Sequence, residues 1–200
     1  PGRLLPQIVY YINGYLELLR RKELKAGEPV NVVVPTGNFG NILAAWYAGQ
    51  MGLPVNKFIC ASNCNNVLTD FINTGRYDLK RDFSATISPS MDILISSNLE
   101  RFLYELSGRN PHTVIELMQQ LKESGAYEIT PEMKSKMGNF YGNYADDQET
   151  VQTIGELYRD YGYVVDTHTA VGYRVYEKYS EESGDATPAL IASTASPFKF

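Results

Sequence analysis

Two short stretches hold residue types whose arrangement could do chemistry. The first, Pro35-Thr36-Gly37-Asn38-Phe39-Gly40-Asn41, follows the β-branched run Val30-Asn31-Val32-Val33-Val34 and opens a helical apolar pattern. Where a helix begins, its first backbone N–H groups lack partners and point along the positive end of the helix dipole. Gly37 and Gly40 carry no Cβ, so the chain can bend sharply and approach an anion closely, while Thr36, Asn38 and Asn41 can add side-chain donors. Phosphate binding is the chemistry this predicts, although the same residues would also serve a plain strand-to-helix turn. No Lys-Ser/Thr pair follows as in a Walker loop, and the dinucleotide pattern GxGxxG with its later acid is missing, so a nucleotide is the weaker reading.

The second stretch is Ser193-Thr194, which follows the short apolar run Pro188 to Ala192. A hydroxyl at the carboxyl end of a parallel strand sits on the edge where open α/β sheets bind ligands, or else caps its own turn. Asn63, Asn65 and Asn66 follow another strand-like run and are read chiefly as turn residues and caps, with ligand contact as the alternative. His168, near a helix start after Asp166, is expected to be a structural imidazole, and His112 to be surface. Asp146, Asp147 and Glu149 suit the start of a helix better than a metal cluster. Cys60 and Cys64 lack CxxC spacing and are expected to be small buried fillers. The tyrosines from Tyr158 to Tyr179 read as packing.

The elements that must position these groups follow from periodicity. Leu4, Leu5, Ile8, Val9, Ile12, Leu16 and Leu19 predict an amphipathic helix over about residues 4 to 25, with Gly27 as its stop. Residues 30–34 and 57–61 read as strands, and 39–51 and 67–73 as helices; strand and helix alternating at these lengths predict parallel βα units with right-handed crossovers. Further helices are expected at 98–106, 113–124, 131–137, 146–161 and 168–179, with strands at 140–144 and 188–192. The fold class is α/β, an open and mainly parallel sheet flanked by helices, and no linker divides residues 1–200.

With 200 residues, 44% of them hydrophobic and 20% charged, the chain has the balance of one globular domain. A net charge of −5 argues against a nucleic-acid surface. No apolar run approaches the roughly 20 residues of a membrane helix, and the start shows no secretory signal, so a cytoplasmic location and a small-molecule partner are expected. The start at Pro1-Gly2-Arg3, already close to a periodic helix, is read as that of a piece of something longer.

The turn resembles the phosphate loop of fold-type II pyridoxal 5'-phosphate (PLP) enzymes. The wider string from Val34 to Ala44 is similar to that of threonine synthases. Similar blocks recur at Gly52 to Val55, Thr74 to Tyr77, Ser88 to Ile93, Ser97 to Arg101 and Asp166 to Gly172, nearly end to end. The resemblance implies the carboxy-terminal portion of the PLP-binding catalytic domain. It places Gly37, Asn38, Phe39, Gly40 and Asn41 at the cofactor phosphate and Thr194 at the pyridine nitrogen, with Ser193 as the competing hydroxyl. For the whole enzyme it implies a carbon–oxygen lyase converting O-phospho-L-homoserine and water to L-threonine and phosphate.

PLP chemistry needs a lysine that forms a Schiff base. The chain's lysines fall on helix ends or polar faces, with Lys57 at the far end of its strand and Lys199 near the terminus. In the family that lysine lies upstream of the matched region, so no catalytic residue is assigned here and the chain by itself is expected to be inactive. Apolar surface of the first helix or the sheet edge would then favour self-association. The rival from another class is a non-catalytic α/β module that uses the same turn for a phosphorylated metabolite or a partner protein.

Overall fold

The structure, a computed structural model, describes residues 2–199. In chain order its elements begin with α1 (Leu5–Arg20), β1 (Val30–Pro35), α2 (Gly40–Gln50), β2 (Val55–Ser62), α3 (Val67–Thr74) and β3 (Arg76–Asp78). After a 3-10 turn at Pro89–Met91 come α4 (Leu99–Leu106), α5 (Pro111–Ser124), β4 (Ala126–Glu128) and α6 (Pro131–Ser135). The chain continues through β5 (Phe140–Tyr144), α7 (Asp147–Tyr161), α8 (Thr167–Ser183) and β6 (Ala189–Ile191). No helix among the described residues is long and apolar enough to cross a membrane.

The main sheet has the order β5-β2-β1-β6 and every pairing in it is parallel. It is an open parallel sheet with helices on both faces, as the alternation of strand and helix predicts. Successive side chains of a strand point to opposite faces, and the core divides accordingly. Val32, Val34, Phe58 and Cys60 pack with Ile42, Leu43 and Ala45 of α2. Val33, Ile59 and Ala61 meet Val171 and Val175 of α8 on the other face. Both faces of β1 and β2 are therefore covered, which is why their sequences read as apolar runs without a polar face. Gly172 lets α8 lie close on the end of β1, since a Cβ there would stand 3.0 Å from Pro35 Cγ.

Two expectations change. The helix read as reaching residue 25 ends at Arg20, because Lys22 takes a left-handed conformation at φ 62° and closes it before Gly27. The short antiparallel pair β3 and β4 has no counterpart in the sequence reading. Three residues are too few to show period-2 alternation, and the partners lie far apart in sequence.

All four strands of the main sheet point the same way, so the segments leaving Pro35, Ser62, Tyr144 and Ile191 emerge on one edge. At the opposite edge, the Asp185 carboxylate gathers Asn31, Asn56 and Tyr179, whose donors stand 2.9, 2.9 and 2.6 Å from Oδ2. Burial by itself would raise this carboxyl, but hydrogen bonds from Thr187, Tyr179 and Asn31 outweigh it and hold Asp185 well below the usual carboxylate range. A carboxyl depressed in the folded state contributes stability that is present above its unfolded pKa of about 4 and lost as pH falls through the folded value. Asp185→Asn is therefore expected to unfold at lower denaturant than the unaltered protein at pH 7, with the gap narrowing as pH is lowered below about 4. Parallel stability curves for the two proteins from pH 7 to 2 would show that Asp185 does no such work.

Candidate functional site

Between β1 and α2 the chain reverses direction within four residues, Thr36 to Phe39. Phe39 caps α2 in left-handed backbone at φ 60°, held there by its ring, which is 1% exposed and packs on Phe102 and Phe140 with centroids 5.2 and 6.3 Å away. Among the described residues, the backbone N–H groups of Gly37, Asn38, Phe39, Gly40 and Asn41 meet no acceptor. They open the helix, where the dipole favours an anion.

The side chains of the turn divide. Thr36 is buried and donates from Oγ1 to Val34 O at 2.6 Å, so it is spent inside the protein and is not the anion donor expected of it. Asn41 Oδ1 accepts from Tyr11 OH at 2.6 Å, and Asn38 Oδ1 accepts from Ser97 Oγ at 3.2 Å. With both oxygens engaged, each carboxamide keeps its NH₂ group as the donor end. Burial pushes the Tyr11 phenol far above its ordinary range, so it stays a donor to Asn41.

A second wall comes from the segment between β3 and α4. Ser96 Oγ donates to Gly37 O at 2.9 Å, and Asn98 donates to Asn38 O through both its backbone and its side-chain nitrogen. A Cβ on Gly37 would lie 2.9 Å from the Ser90 carbonyl oxygen, so only glycine fits there without displacing backbone. Asn63 and Asn65 hold this segment down. Both donate to Asp92 Oδ1, at 2.7 and 3.1 Å, and the Asn65 carboxamide also donates to Ser84 O and accepts from the Ser84 N–H. Asn66 accepts from Arg81. None of the three lines the cavity beside the turn, and Asn66, although it stands at the N-cap of α3, makes no side-chain cap bond there, so it is not the cap expected of it.

The turn and Thr194 line one cavity of about 290 Å³, together with Arg3, Gln7, Ser90, Met91, Asn98 and His168. That volume lies at the small end of the roughly 300–1,000 Å³ of ligand sites and suits one small molecule. Thr194 and Ser193 both leave β6 beside β1, but Ser193 Oγ lies 3.3 Å from Thr169 Oγ1 and does not line this cavity. Of the two, Thr194 lines this cavity with the turn, and both line a neighbouring one with Asn41. No lysine among the described residues lines the cavity.

Comparison with known proteins locates this arrangement. No family model matches the chain. It is 45% identical over 201 residues to a protein named threonine synthase-like 1 from Pongo abelii, covering 100% of this chain and 27% of that one. It is 39% identical over 203 residues to threonine synthase from Pseudomonas aeruginosa, covering 100% of this chain and 41% of the relative. A solved structure titled as PLP-bound threonine synthase from Brucella melitensis superposes with a TM-score of 0.88 at 38% identity, over 98% of this chain and 40% of the other. The chain is related to the threonine synthases. It spans about two-fifths of the length of the bacterial threonine synthases and about a quarter of the threonine synthase-like relative.

Other residues singled out in the sequence lie away from the cavity. Asp146 and Glu149 form a reciprocal capping box at the start of α7, which accounts for the acids there. Cys60 is buried, and burial pushes its thiol up to about 12, whereas Cys64 is exposed and is no core filler. Its place just beyond β2 puts it on the rim of the edge instead. Tyr179 is buried, but Tyr158, Tyr161 and Tyr163 are exposed, so packing explains only part of the tyrosine-rich stretch. His112 is exposed as expected. Sequence reasoning gave no role to Arg3, Ser90 or Asn98. The blocks of threonine synthase likeness at 88–93 and 97–101 were the available signal for the last two, while an exposed arginine beside a helix start gives none.

Gly37→Ala tests the built shape of the turn. The new methyl must displace Ser90 backbone, and binding of inorganic phosphate, measured by calorimetry, is expected to weaken at least about tenfold, or 1.4 kcal/mol. Unchanged affinity would mean that phosphate does not sit on this turn.

Proposed function

We propose that the chain is the carboxy-terminal, cofactor-holding portion of the catalytic domain of a PLP-dependent threonine synthase. The whole protein would convert O-phospho-L-homoserine and water to L-threonine and phosphate. One observation carries this reading: the residues of five acceptor-free amides and Thr194 line one cavity, in a chain similar to threonine synthases over its full length. The residues fit the cofactor. The turn from Gly37 to Asn41 supplies donors for a phosphate and close approach at Gly37, and Thr194, which lines the same cavity, is the hydroxyl that the likeness to threonine synthases assigns to the ring nitrogen.

PLP, when bound, supplies an electron sink that stabilises negative charge next to the amino-acid nitrogen. The work of this chain is to bind and orient. Amides 37 to 41 would hold the phosphate by dipole and hydrogen bonds, and Arg3, exposed and part of the cavity lining, adds a cation. A hydroxyl at Thr194 donates to a neutral pyridine nitrogen where an Asp would favour the protonated ring, which moderates electron withdrawal. The Schiff-base lysine and most substrate contacts would come from the remainder of the relatives' length, so this chain alone would have no activity. Leu5, Val9 and Leu16 are exposed on α1, and this supports self-association of the isolated chain.

A second reading, a non-catalytic module for a phosphorylated metabolite, is favoured by the absence of lysine from the cavity lining among the described residues. The two separate in the full-length protein. Asn38→Asp puts a carboxylate against the phosphate and is expected to raise the PLP dissociation constant at least about tenfold, while the unaltered protein releases phosphate from O-phosphohomoserine. Equal PLP affinity for the two proteins would remove Asn38 from the site. Tight phosphate binding with no phosphate release would favour the module.

A further inference from the structure

His168 and Asp166 are 2% and 3% exposed, and no step above uses them. Asp166 caps α8, accepting from the backbone N–H of His168 at 2.9 Å and of Thr169 at 3.3 Å. The same Oδ1 lies 3.0 Å from His168 Nδ1, and Oδ2 takes a short hydrogen bond from Thr169 Oγ1. On the other side of the ring, the Ser90 backbone N–H points to His168 Nε2 at 3.2 Å. A ring nitrogen that accepts from an amide carries no proton, and one that faces a carboxylate carries it. These two contacts fit a ring that carries its proton at Nδ1 and accepts at Nε2.

Ser90 is also the residue whose carbonyl stands 2.9 Å from where a Gly37 Cβ would be, with Met91 Cα at 3.3 Å. The backbone that walls the anion turn is thus fastened from behind by the imidazole. Through Asp166 the same fastening reaches Thr169, whose hydroxyl lies 3.3 Å from Ser193 next to Thr194.

We propose that His168 is a positioning residue of the cofactor site: oriented by Asp166, it accepts the Ser90 N–H at Nε2 and so holds the Ser90 carbonyl against Gly37, keeping amides 37 to 41 in register for a phosphate. This deepens the PLP reading and rests on it for the identity of the ligand. The role is one of acceptor geometry and not of ring volume, so two substitutions separate it from packing. Phe fills the space without an acceptor, and the side-chain oxygen of Gln can take the place of Nε2.

In the full-length protein, His168→Phe is expected to raise the PLP dissociation constant at least about tenfold and to speed hydrogen exchange of the Ser90 amide, while His168→Gln stays within about threefold of the unaltered protein on PLP binding. Wild-type affinity in both variants overturns the proposal, as does equal weakening in both. Should His168→Phe fail to fold, nitrogen-15 spectra of histidine in the unaltered protein at pH 7 decide the matter, the resonance being identified by its loss in His168→Gln. A neutral ring protonated at Nδ1 supports the proposal, and one protonated at Nε2 overturns it. If the unaltered protein binds no PLP, the function reading fails instead. The tautomer and the Ser90 exchange rates still show whether the anchor exists.

Discussion

Phe39 sits in left-handed backbone at φ 60°, a conformation that costs an ordinary L-residue about 1–2 kcal/mol. Full burial of a phenylalanine side chain contributes about 1.5–3 kcal/mol, and the ring of Phe39 is buried against Phe102 and Phe140. Burial therefore offsets the backbone cost, and the aromatic cluster fixes where the chain must reverse. Glycine would take the same φ without strain but would leave a void among those rings. With the Phe39 side chain turned inward, the amides of residues 37 to 41 are left without a protein acceptor among the described residues.

Around that bend the protein spends its polar groups on backbone geometry. Asn63, Asn65 and Asp92 pin the segment that carries Ser90; Ser96 and Asn98 tie it to Gly37 and Asn38; His168 fastens it from α8. Nearly all these bonds join residues remote in sequence, so the shape of the turn depends on the completed fold. Net charge of −5 is compatible with an anion site for the same reason. Attraction would come from the amides and a helix end, with Arg3 the one Lys or Arg among the described residues that line the cavity.

What the sequence made legible follows from local physics. β-branched runs bounded by Pro and Gly marked β1 and β2, helical spacing marked the helices, and parallel units placed every strand end on one edge. Thr194 and the turn could thus be expected to meet, although more than 150 residues separate them. Illegible were features set by tertiary pairing. Thr36 has the right chemistry for a ligand, but its hydroxyl is claimed by Val34 O. The role of Ser90 lies in its backbone, which side-chain type does not reveal. β3 and β4 are too short for a pattern, and Cys64 is exposed despite a composition that suits the core.

The central claim is that amides 37 to 41 hold the phosphate of PLP while Thr194 meets its ring. A crystal structure of the full-length protein grown with PLP tests it most directly. The account predicts phosphate oxygens within about 2.7–3.2 Å of several of these amides and the Thr194 hydroxyl at hydrogen-bond distance from the pyridine nitrogen. Cofactor bound elsewhere, or in this cavity with its phosphate turned away from Gly37 to Asn41, would contradict it.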